Sequence, residues 1–110
     1  VILIHCRFRI PAEARAAWTE SAQRMAALSR AEEGCIGYAF SFDVNDPEVA
    51  YAYEAWESQE LLDAHAVTPH HDVRMAELRQ WDIGYEEISF YDTTNRRDML
   101  AEITEQRRSS

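Results

Sequence analysis

Over the first ten residues apolar and polar side chains alternate: Ile2, Ile4, Cys6, Phe8 and Ile10 fall on one side, His5, Arg7 and Arg9 on the other. Successive side chains of a β-strand point to opposite faces, so the pattern predicts a strand whose two faces meet unlike surroundings. Such a strand needs neighbours in a sheet and a layer to cover its apolar face. Pro11 opens a segment in which Ala14, Trp18, Ala22, Met25 and Leu28, joined by Ser21, recur at helical spacing. Charged and amide residues such as Glu20, Gln23 and Arg24 fall elsewhere around that helix, and Gly34 is expected to cap its end.

Period two returns from Cys35 to Phe42, with Ile36, Tyr38, Phe40 and Phe42 in step. Asp43 to Pro47 has the composition of a turn, and Val49 to Trp56 follows as a third strand close enough for an antiparallel hairpin. Ser58 is a good N-cap for a short helix through His65. Thr68-Pro69 repeats the device for a second helix to about Trp81. Gly84 to Tyr91 is the last strand. The polar segment after it holds Met99, Leu100 and Ile103, enough for one or two weakly amphipathic turns.

The order is β-α-β-β-α-β, with two helical pieces filling the second helix slot. That is the split βαβ pattern of an α+β, ferredoxin-like domain, expected over residues 1–92 with a tail at 93–110. The antiparallel sheet then carries its helices on one face only. Val1, Leu3, Tyr51 and Tyr53 lie on the other face, too much apolar surface to leave in water. A second copy stacked there would bury on the order of 2,000 Å², an obligate-dimer area, and close a dimeric α/β barrel. His5, Arg7 and Arg9 would supply ion pairs at that interface.

Composition removes several kinds of function. The 20 acidic against 11 basic residues give a net charge of −9, which repels nucleic acid on average. Every base is Arg, so lysine chemistry is excluded: no Schiff base, no pyridoxal-phosphate anchor, no phosphate-loop lysine. No apolar run approaches the roughly 20 residues that span a bilayer, and no basic segment precedes an apolar one, so a cytoplasmic protein without membrane contact is expected. Cys6 and Cys35 have neither metal-ligand spacing nor a disulfide framework and are expected to be buried, reduced thiols.

The run Tyr53-Glu54-Ala55-Trp56-Glu57-Ser58, followed by Ala64-His65 and Thr68-Pro69-His70, resembles the central signature of the antibiotic biosynthesis monooxygenase family. Arg30, Glu33-Gly34-Cys35 and Tyr38 are similar to that family's approach to its second strand, and the resemblance extends to about Tyr91. It implies a dimeric ferredoxin-like barrel with a pocket between sheet and helices in each subunit. Family members include oxygenases that convert polyketide phenols to quinones without flavin or metal, haem-degrading oxygenases, and isomerases of a phosphorylated sugar. Ala52 stands where the quinone-forming members carry Asn, and Cys6 where the haem-degrading members do. The isomerases share the Glu54, His65 and Thr68-Pro69-His70 arrangement but usually carry Tyr at the position of Trp56.

Several residues are candidates for chemistry. The resemblance places Trp56 in the pocket, its indole N–H toward a substrate oxygen. His65 follows Leu61 and Leu62 at i+4 and i+3, which turns its imidazole toward the sheet and makes it the acid/base candidate. Cys6, Ala52, Glu54 and His70 are expected to contact the substrate, with Glu54 also needing an Arg or His partner to be tolerated on a covered face. His70 and His71 occupy a first helical turn, where a protonated imidazole would oppose the helix dipole. The five-residue gap from His65 to His70 across Pro69 is not the i, i+4 placement of two ligands on one helix, so no metal is expected. The leading expectation is a cofactor-independent monooxygenase on a small phenolic or polycyclic substrate. The alternatives are an isomerase or other proton-transfer enzyme on a small oxygenated metabolite, and a non-catalytic dimeric ligand-binding module.

Overall fold

A computed structural model describes residues 1–109. Strands β1 (Ile2–Arg9), β2 (Cys35–Phe42), β3 (Val49–Trp56) and β4 (Gly84–Asp92) form one sheet in the order β2-β3-β1-β4, every neighbour antiparallel. Helices α1 (Arg15–Arg30), α2 (Gln59–Ala66), α3 (Pro69–Leu78) and α4 (Met99–Ser109) complete the chain, with a 3-10 turn at Ala12–Ala14 leading into α1. The result is the ferredoxin-like α+β fold expected from the periodicities. Among the described residues no helix is long and apolar enough to cross a membrane.

The alternation of β1 determines the layers. Ile2, Ile4, Cys6 and Phe8 are buried under the helices, while His5 is exposed on the opposite face. Trp18, Ala22, Met25 and Ala26 of α1 meet them, and Ile10 and Trp56 are fully enclosed. A fully buried side chain such as Ile10 contributes about 2 kcal/mol. Trp18 stands edge-on to Phe40 and Phe42 of β2, at 5.5 and 5.4 Å between centroids. α1 lies over β2, α2 approaches β3, and α3 packs against α1. No helix covers β4, so its helix-side residues Tyr85, Ile88 and Phe90 remain more than half exposed.

Four expectations change in detail. α1 ends at Arg30 with Ala31 as its C-cap, so Gly34 does not close the helix. It instead takes φ +82° in the following loop, where a Cβ would stand 2.3 Å from Leu61 Cδ1. Leu28 is about half exposed, and Ala26 and Ser29 occupy the buried stripe, because α1 is rotated toward its small residues. The tail forms eleven residues of helix rather than one or two turns, with none of them buried; Ser110 lies outside the described residues. His5, Arg7 and Arg9 find acids within the chain: His5 Nδ1 is 3.3 Å from Glu87, Arg7 Nε 3.0 Å from Glu86, and Arg9 Nη1 3.4 Å from Asp46.

Candidate functional site

β1 and β3 lie side by side in a register that sets Ile4 opposite Glu54 and Cys6 opposite Ala52. These positions all face the helices, and the small Ala52 and Cys6 leave a hollow that larger residues would fill. The hollow has a volume of about 370 Å³; its floor is the sheet, its roof includes Leu62, His65, Arg74 and Met75, and its rim is the uncovered row Tyr85, Ile88 and Phe90. Most of its walls are apolar. A small pocket of this make-up, with few polar groups, suits a small organic ligand.

Local signals place the polar groups. Ser58 accepts from the Leu61 N–H and starts α2 so that Leu62 and His65 point inward. Thr68 accepts from the His71 N–H at 3.3 Å, and Pro69 begins α3. The side chain of His65 is 3% exposed and lies against the Trp56 ring, 4.6 Å between centroids. Its Nε2 is 3.9 Å from Glu54 Oε1, and its Nδ1 is 2.6 Å from Glu32 Oε2. His70 Nε2 reaches the same Glu32 oxygen at 2.8 Å.

Glu54 therefore has the partner its covered position requires, and that partner is a histidine. Burial raises its carboxyl pKa, and nearby Glu32 adds to the rise; a hydrogen bond from Trp56 and the charge of His65 act the other way. That hydrogen bond overturns one expectation. Trp56 Nε1 donates to Glu54 Oε1 at 3.0 Å, the residue is fully buried, and its ring lies behind His65 instead of lining the hollow. The two rings lie against each other at a tilt of 35°, and the indole N–H is engaged by Glu54 rather than turned to a substrate. His70 also leaves the expected group, because its ring turns to Glu32 outside the cavity wall. His71 lines the wall in its place, edge-on to His65 at 5.2 Å, with its pKa lowered mainly by burial. Cys6, Ala52, Glu54 and His65 do line the hollow. Burial, followed by Glu54 and Glu87, pushes the Cys6 thiol up to about 11, so it stays protonated near neutral pH and is not a nucleophile.

Two residues absent from the sequence-based set complete the site. Arg74 of α3 is 4% exposed and lines the cavity. Its Nη1 donates to Ser21 Oγ at 2.7 Å, and its guanidinium lies 5.1 Å from the Trp18 ring and 5.0 Å from that of Phe40. Among the described residues no carboxylate forms a salt bridge with it; Glu77 lies beyond Ser21, whose hydroxyl donates to Glu77 Oε1 at 3.2 Å, and the Glu77 charge still acts on the guanidinium. Burial lowers its pKa. The spacing of Arg74 from His71 and Leu78, three and four residues away, is the signal that could have placed it on the inward face of α3. Glu32 carries no such signal, because it sits in the irregular connection between α1 and β2.

Glu32, His65 and His70 also bear on the metal question. Their donor atoms lie within 4.8 Å of one another, so residues separated by a proline in sequence do converge once two helices and a loop supply them. Both nitrogens meet one oxygen at hydrogen-bond length, which the His65 N–H and a proton held between Glu32 and His70 satisfy without a cation.

A model of the antibiotic biosynthesis monooxygenase family matches residues 1–76. Among solved structures, a Deinococcus radiodurans protein provisionally named an antibiotic biosynthesis monooxygenase superposes with a TM-score of 0.81 at 20% identity, over 89% of this chain and 97% of that one. A Mycobacterium tuberculosis protein gives 0.77 at 20% identity over 88% and 98%, and a Methanosarcina mazei protein 0.77 at 22% over 84% and 92%. At these identities the likeness is one of fold. No curated protein matches the sequence.

Proposed function

The chain belongs to the antibiotic biosynthesis monooxygenase family, and we propose that it oxidises a small, electron-rich phenolic or polycyclic substrate with dioxygen, the substrate supplying the electrons. The observation that carries this reading is the cavity itself: an apolar hollow of about 370 Å³ holding a histidine–carboxylate pair and a buried arginine that forms no salt bridge among the described residues. In a largely apolar pocket, a fixed cation favours a substrate oxyanion over its neutral form, by about 1.4 kcal/mol for each pK unit lowered. Arg74 is that cation, and His65, with Nε2 toward the cavity, is the base.

In the proposed reaction a ring CH₂ flanked by the ionised system loses a proton to His65. The resulting carbanion adds dioxygen, and the peroxide accepts a proton. Loss of the second C–H proton then cleaves the O–O bond, so the carbon becomes a carbonyl and the other oxygen leaves as water. The four electrons taken from carbon reduce one dioxygen, and no further reductant is needed.

The test is oxygen consumption by the metal-free protein with a panel of anthrone-like phenols. One equivalent of oxygen per quinone is expected, with turnover lowered about 100-fold or more in His65→Ala and in Arg74→Met. Absence of uptake across the panel, or uptake unchanged by both substitutions, refutes the oxygenase reading.

One observation favours a second reading. Ala52 presents no amide to the cavity, so nothing at that position directs oxygen, whereas the Glu54–His65 pair is suited to moving a proton within a small oxygenated metabolite. An isomerase of this kind would act equally in the absence of oxygen. A ligand that binds and is recovered unchanged under both conditions would mark a non-catalytic binding module.

A further inference from the structure

We propose that Glu32 and His70 form a proton relay behind the cavity, linking His65 to solvent and fixing His65 as the Nδ1–H tautomer. The inference rests on the reading of His65 as the cavity's proton-transfer group. Three observations carry it. His65 presents Nε2 toward Glu54 and the cavity and Nδ1 toward Glu32, so its two nitrogens lie on opposite sides of the site. Glu32 Oε2 is within 2.6 Å of that Nδ1 and 2.8 Å of His70 Nε2, so one carboxylate oxygen joins both rings. The series also runs outward in exposure: 3% for the side chain of His65, 16% for Glu32 and 18% for His70.

A buried imidazole that accepts a proton from a substrate must release one elsewhere before it can act again. Taken up at Nε2, the charge leaves from Nδ1 to Glu32 as the proton that Glu32 holds toward His70 passes to Nε2 of that ring, and His70, which starts as the Nδ1–H tautomer, releases its Nδ1 proton to water. Each group gains one proton and loses one. One passage leaves His65 as the Nε2–H tautomer, and a passage in the reverse sense restores it. An oxidation that removes a proton before oxygen adds and returns one to the peroxide uses both directions. The groups around His65 are Glu32 from the loop, Glu54 and Tyr38 from the sheet, and His70 and His71 from α3. Of these, Glu32 meets both rings at hydrogen-bond length. Glu32 is a positioning residue here, since it acts on the substrate only through His65.

The test needs no substrate. Ring nitrogens are followed by long-range 1H–15N correlation in uniformly labelled protein, together with exchange of the His65 Nδ1 proton with water. The wild type is expected to show His65 as the Nδ1–H tautomer with an exchange-protected low-field proton. Glu32→Gln, which keeps the shape of the side chain, is expected to abolish the tautomer preference. His70→Phe is expected to preserve the tautomer while slowing exchange about tenfold or more. An unchanged tautomer in Glu32→Gln, or unchanged exchange in His70→Phe, overturns the relay. So does stoichiometric binding of Zn²⁺ that is lost in either variant, which would make the three side chains a metal site. Failure of the oxygen-uptake test leaves these ring measurements standing, so the two proposals are distinguishable.

Discussion

Glu54 shows how a single partly buried carboxylate can serve a site at the expense of the fold. Its pKa is raised chiefly by desolvation, so between its unfolded value near 4.5 and its higher folded value the native state holds more protons than the unfolded state. Stability linked to this group is therefore present at pH 4.5 and falls as pH rises through the folded pKa. Glu54→Gln still accepts from the Trp56 N–H but carries no charge. The expected result is a smaller decline in Tm between pH 5 and 7 than in the wild type, measured by calorimetry on both proteins. A parallel decline in the two would show that Glu54 is not the linked group. Asp43 and Glu87, whose carboxyls are lowered mainly by side-chain hydrogen bonds, act in the opposite sense at lower pH, and the wild-type difference cancels them.

At the scale of elements, two short helices hold the roof, and both depend on their starts. α2 and α3 have 8 and 10 residues, too short to be stable on propensity alone. Thr68 satisfies the His71 N–H, so Thr68→Ala is expected to cost about 1 kcal/mol while Thr68→Ser costs little. Gly34 anchors the other side of the site. Its backbone has positive φ and passes so close to Leu61 that a Cβ has no room, so Gly34→Ala is expected to cost about 2–4 kcal/mol. Urea unfolding measures both, and a Gly34→Ala protein as stable as wild type would disprove the close approach. The same glycine fixes the course of the Glu32 loop, which ties an exposed turn to the placement of His65.

For the whole molecule, the decisive feature is the helix layer's failure to reach β4. It leaves an open rim to the cavity, while on the opposite sheet face Tyr53 is about half exposed. On that face the Tyr53 ring lies across Gly37, where a Cβ would come within 2.7 Å of it, and Leu3 and Tyr51 sit nearby on the paired strands. We read the face as the seat of a second copy. The protein is then expected to sediment at twice its 12.8 kDa chain mass at micromolar concentration, and Tyr53→Lys to weaken the dimer about tenfold or more. A wild-type monomer at that concentration would remove the barrel. Arg7 is already paired to Glu86 and Tyr51, so the ionic contacts on this face do not depend on a partner.

Local pattern was sufficient for the elements. Alternation at residues 2–9 gave the buried face of β1, Ser58 and Thr68-Pro69 marked the starts of α2 and α3, and the spacing of His65 from Leu62 turned its ring inward. These follow from periods of two and 3.6 residues and from caps, which act over a few positions. Tertiary packing decided which polar groups meet. Glu32 reaches His65 and His70 across 33 and 38 residues, Trp56 gives its N–H to Glu54, and Arg74 bonds Ser21. Side-chain periodicity carries a direction but not a distance. The distances arise only when α2, α3 and the loop after α1 are brought over the sheet together.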